Sequence, residues 1–181
     1  MTMRPTTFRL LLAGLAAGVA GPAIAQSCVQ SAERTAFEVR ALQSQLMVAA
    51  LACQRDGDYN AFVRKFQGEL AGSYRTIQSH FRRTAGGGAQ RELDGFITTL
   101  ANAQSQDGIR QGSQFCGTVG PLFQLALAQS NAAALADLTA DRNVLNPLTT
   151  PACPASAAAP AAASRQPARP AASSRSAAAT R

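Results

Sequence analysis

Histidine and methionine are almost missing from this chain. There is one histidine, His80, and Met47 is the single methionine beyond the first three residues. Soft and imidazole ligands are therefore too few for metal transport or storage. No Cys-x-x-Cys pair occurs, which removes thioredoxin-type redox motifs and zinc ribbons. No Cys-x-x-Cys-His occurs either, so c-type haem is excluded. The Glu-x-x-His spacing of a di-iron bundle is also absent. No stretch alternates apolar and polar residues as a strand would, and there is no internal repeat. Beyond the first 25 residues no run is apolar enough for a membrane span.

The first 25 residues read as a secretory signal peptide. Arg4 and Arg9 form a positive start, and residues 10–20 are an apolar run too short for a stable span. Pro22 breaks it, and Ala23-Ile24-Ala25 is an A-x-A cleavage site, so the mature chain is expected to begin at Gln26. The alternative is an uncleaved anchor. Ala25-Gln26-Ser27 before Cys28 is not a lipoprotein box, and the two arginines are not adjacent as a twin-arginine signal needs.

The net charge of +7 suggests nucleic acid at first sight. It dissolves on partition. Arg4 and Arg9 leave with the signal peptide, and Arg165, Arg169, Arg175 and Arg181 lie in an acid-free tail. Eleven basic residues then face ten acidic ones in between. No nucleic-acid groove is expected. The tail, residues 154–181, is Ala/Pro/Ser/Arg low complexity, with side chains too small to offset the entropy of ordering. It reads as disordered, either without a role or as a cationic spacer that touches an anionic surface. Residues 26–153 remain as one domain.

That domain reads as helical throughout. Residues 30–52 carry Val39, Leu42, Leu46, Ala49 and Ala50 at three- and four-residue spacing, with Cys53 next in the pattern and Ser31 as a cap. Residues 59–83 carry Phe62, Phe66, Leu70, Tyr74, Ile77 and Phe81 on one face. After Gly86-Gly87-Gly88, residues 90–103 form a third helix, expected to end at Asp107-Gly108. Residues 109–128 form a fourth, which Pro121 should kink or split. A short fifth follows near residues 131–141. The expected fold is an all-α antiparallel bundle of four main helices plus a short fifth, stapled by disulfides.

Cys28, Cys53, Cys116 and Cys153 are even in number and follow an export signal, so two disulfides are expected. Cys28 and Cys53 bracket the first helix, about 30 Å or more apart, too far to join. Two pairings remain. Antiparallel packing favours Cys53–Cys116 with Cys28–Cys153. The crossed pairing, Cys28–Cys116 with Cys53–Cys153, stays open.

Asp56, Asp58 and Asn60 match the first ligand positions of a calcium loop. Position six is Ala61 where glycine belongs, and position twelve is Gln67 where a bidentate glutamate belongs. A turn at Asp56-Gly57, with Asp58 or Asn60 capping the second helix, fits better. No metal and no cofactor are expected. His80 lies close to Arg75, Arg82, Arg83 and Arg91. A catalytic histidine needs a nucleophile or carboxylate partner, and none is visible. With Gly86–Gly88 before a helix start, the five residues make a possible anion-binding corner. The competing reading is a flexible corner with solvated charges.

Three phrases carry a resemblance: LQSQLMVAALACQRDGDYNAFVRKFQGEL (42–70), HFRRTAGGGAQRELDGFITTLANAQSQ (80–106) and QFCGTVGPLFQ (114–124). They resemble small exported all-helical proteins of alphaproteobacteria, of uncharacterised function. The resemblance implies a signal peptide, disulfide staples and a helical domain, and brings no catalytic residue. The resulting expectation is a non-enzymatic interaction or structural module of the cell envelope, periplasmic or secreted. Its partner would be an envelope protein or an anionic surface. The alternative is a periplasmic binder of a small molecule or anion through the arginine-rich corner.

Overall fold

Residues 36–50 are apolar on more than one face, and this makes the first helix the centre of the molecule. A computed structural model describes residues 28–154. The expected signal peptide at 1–25 and the tail beyond Pro154 lie outside the described residues. The helices are α1 (Ser31–Cys53), α2 (Asp56–Lys65), α3 (Gln67–Ala85), α4 (Ala89–Gln111), α5 (Phe115–Ala128) and α6 (Ala132–Asp141). α1 touches all five others. The expected stripe of Val39, Leu42, Leu46, Ala49 and Ala50 is buried, and so are Ala36, Phe37, Ala41, Ser44 and Gln45 on the remaining faces.

The all-α bundle is as expected, and its details differ in four places. The cap of α1 is Gln30 in place of Ser31, and Glu33 accepts the Gln30 N–H at 2.8 Å. The expected second helix comes as α2 and α3, offset at Phe66. The offset is slight, since Phe66 N–H still donates to the Phe62 carbonyl at 3.0 Å. α4 does not end at Asp107-Gly108 but runs to Gln111, where Gly112 takes a positive φ of 55°. Asp107 sustains that last turn by accepting from Arg110 and Gln111, each at 2.7 Å. α5 runs through Pro121 unsplit, and the break in the expected fourth helix falls instead at Gly112–Gln114, a 3-10 turn.

Two apolar clusters meet along α1. The larger gathers Leu42, Leu46, Phe62, Phe66, Phe115, Phe123 and Leu135. The smaller gathers Val29, Phe37, Ile77 and Leu93, with Phe81 and Phe96 against it. Phe37, Phe62, Phe66 and Phe123 are fully buried, and truncating such a ring to alanine typically costs about 3–5 kcal/mol.

The disulfides are Cys28–Cys153 and Cys53–Cys116, with Cα–Cα separations of 4.8 and 5.6 Å. The crossed pairing is thereby excluded. The first bridge closes the two ends of the domain. Beside it, Val29 N–H donates to the Pro151 carbonyl at 2.8 Å and Cys153 N–H to Val29 at 2.9 Å. This parallel bridge between Val29 and Ala152 is the only β-type pairing among the described residues. The second bridge joins the end of α1 to the start of α5.

Candidate functional site

The corner after Cys53 is pinned by one arginine. Asp56, Asp58 and Asn60 stand in the first turns of α2, so no calcium loop forms there. The turn precedes Asp56: Gln54 adopts left-handed backbone at φ 56° and closes α1 with its N–H on the Ala50 carbonyl. Neither Asp58 nor Asn60 caps α2. Asp58 instead accepts from Arg55 Nε at 2.6 Å. Arg55 Nη1 then donates to the Gly120 carbonyl at 2.9 Å, and the guanidinium lies 4.9 Å from the Phe123 ring centroid. Arg55 thus fastens the α1–α2 corner to α5 beside the Cys53–Cys116 bridge.

His80 has the carboxylate partner that its local sequence does not show. The partner is Glu33, 47 residues away, whose Oε2 lies 3.0 Å from His80 Nδ1. His80 is only 2% exposed and packs edge-on against Phe37 and Phe81. Arg83 grips the same carboxylate, with Nη2 at 2.9 and 2.7 Å from its two oxygens. It also donates to the Cys28 carbonyl at 2.9 Å. Burial acts to raise the Glu33 carboxyl. Hydrogen bonds from Arg83, the Gln30 amide and His80, with the charge of His80, outweigh it and hold the carboxyl below its ordinary value. Spacing shows only the local halves of this cluster, and their meeting depends on how α1 packs against α3. His80 and Arg83 stand three apart on α3 and so share a face, and Glu33 stands at the third position of α1.

The five residues of the expected anion corner do not converge. Arg82 lies about 200° round the helix from His80, while Arg75 shares the Arg82 side. Arg75, Arg82 and Arg91 are exposed, and Arg91 is 3.8 Å from Glu92. Arg75 lines a shallow cleft of about 450 Å³ with Gly72 and Ser79. His80 lines a different one of about 500 Å³ with Thr84, Glu92 and Pro151. Neither is lined by Arg82, Arg83 or Arg91. The anion that His80 and Arg83 bind is the protein's own Glu33. With that charge neutralised and Cys28 oxidised, the cluster joins α1, α3 and the chain end, and presents no nucleophile.

No known protein family, characterised protein or solved structure matches the chain. Among the described residues, no three His, Cys, Asp or Glu side chains gather to hold a metal ion. No helix among them is long and apolar enough to cross a membrane.

The apolar surface lies elsewhere. Leu51 on α1 is 73% exposed and Ile109 on α4 is 78% exposed. Both line one groove of about 550 Å³, with Val48, Ala52, Phe115 and Cys116. Gly108 lets the Phe115 ring approach, since a Cβ there would stand 3.2 Å from the ring. Leu51 lies about 180° round α1 from Leu42, and Ile109 about 160° round α4 from Leu93, so both stand off the apolar stripes that periodicity picks out.

Proposed function

We propose that this chain is an exported, non-enzymatic helical protein of the cell envelope that binds a partner protein through an apolar groove. The observation that carries the reading is the pair Leu51 and Ile109, two large apolar side chains standing in solvent on either side of one groove. Exposed apolar area of this kind marks interaction surfaces. The groove sits beside the Cys53–Cys116 bridge and the Arg55 pin, on backbone fixed by both. A rigid platform lowers the ordering cost of association. Two disulfides fit an oxidising compartment, and the signal-like first 25 residues and the resemblance to small exported helical proteins point the same way.

The test is a photo-crosslinking residue at Ile109 in intact cells. A discrete protein adduct is expected, absent when the residue is placed at exposed Arg91 and lost when Leu51→Asp is added. Loss of specificity between the two positions, or an adduct indifferent to Leu51→Asp, overturns the reading.

A further inference from the structure

A second cleft, distinct in chemistry from the apolar groove, lies between α1, α5 and the chain after α6. It encloses about 380 Å³, within the range of small-ligand cavities. Leu122 and Val119 of α5 and Val144 and Leu145 after α6 supply apolar wall. Gln45 of α1 lines it; its side-chain amide makes no hydrogen bond within the described residues and stays open to the cleft, not sealed in the core. Gln104 is fully buried and only half satisfied: its Nε2 donates to the Ala41 carbonyl at 3.0 Å and the Leu145 carbonyl at 2.9 Å, while its Oε1 has no partner among the described residues. Those bonds also fix Leu145, one wall of the cleft, against α1. Gln45 stands where α1 is otherwise apolar, three residues from Leu42 and four from Ala49.

The charges at the rim set the sign of a ligand. Arg142 lines the cleft, and its guanidinium has no hydrogen bond or ion pair among the described residues. Asp107 also lines it, but both its oxygens are taken, by Arg110 and Gln111. The rim therefore carries one uncompensated positive charge, above an apolar wall with a free amide. We propose that this cleft binds a small organic carboxylate with an apolar body, its carboxylate held by Arg142 and a polar atom of its head by the Gln45 amide. The cleft shares Phe115 with the partner groove, but Gln45 and Arg142 line only the cleft and Leu51 and Ile109 only the groove, so failure of either reading leaves the other standing.

The experiment is an NMR titration of the mature protein with decanoate and with 3-phenylpropanoate, below micellar concentration, with decanol as the uncharged control. Saturable shifts are expected for at least one acid, at the Gln45 side-chain amide and the Val119 and Val144 methyls. Decanol should bind about tenfold more weakly, the scale of one charge-assisted hydrogen bond. Arg142→Ala, an exposed change that leaves the fold intact, should weaken the acid by a similar factor. Gln45→Leu, close in size, should weaken it as well while leaving the fold intact. No saturable shift with either acid overturns the proposal. So does an affinity unchanged in both variants.

Discussion

Glu33 ties three parts of the chain through one carboxylate: the start of α1, the end of α3 through His80 and Arg83, and, by way of Arg83, the Cys28 strap. Its folded carboxyl titrates below its ordinary value near 4.5. The unfolded chain therefore binds this proton more readily than the folded one. The stabilisation is fully present above the unfolded value and is lost as pH falls through the lowered folded value. Glu33→Gln should cost about 1–2 kcal/mol at pH 7, a modest figure because Arg83 keeps part of its side chain in water. In denaturant melts from pH 7 down to pH 3 the gap between wild type and variant should narrow. A gap constant across that range would mean the cluster acts through packing alone. The acidic corner gives a second expectation. Asp58 is held by Arg55 at 2.6 Å and stands within a helix, so calorimetry with calcium should show no saturable heat. A signal lost on Asp58→Ala would show that the corner opens to bind the ion.

Among the elements, α1 and the Cys53–Cys116 bridge decide the architecture. The bridge closes a separation of 63 residues that includes α2, α3 and α4. In the chain-entropy account, removing it as Cys53→Ala with Cys116→Ala should lower stability by about 4 kcal/mol. Equilibrium unfolding in urea checks this, and an effect under about 1 kcal/mol would mean that packing alone fixes the corner. The bridge was legible from sequence because it follows from a continuous first helix and short returns between antiparallel neighbours. The helical periods were legible for the same local reason. Helix ends were less so. Asp107-Gly108 looks like a breaker, but Asp107 finds its partners at Arg110 and Gln111 inside the helix, and the positive φ falls at Gly112. Glu33 with His80, and Gln45 opposite α5, were not legible, because each depends on which helix faces become neighbours. Their residue types give a hint only in hindsight: a polar side chain on an otherwise apolar stripe.

For the whole molecule, the two bridges and the strap between Val29 and Ala152 close the domain on itself. One bridge joins its ends, and the other anchors α1 to α5 at the far end of α1. Such a molecule resists fraying and holds a surface groove in fixed shape. Both bridges require an oxidising compartment in which to form, which links the fold to the proposed export. If the chain is exported through the segment ending at Ala25, the protein recovered from the envelope or medium begins at Gln26. Intact mass spectrometry without reductant should then give the mass of residues 26–181, four hydrogens lighter than the reduced chain. After reduction and alkylation, four added groups should appear, one for each cysteine. A mass that retains residues 1–25 would replace the cleaved signal with an anchor. Lipid on Cys28 would leave no thiol for Cys153 and so would remove the bridge that closes the domain. Free thiols in freshly isolated protein would place it in a reducing compartment and sink the envelope reading, while leaving the helical packing around α1 untouched.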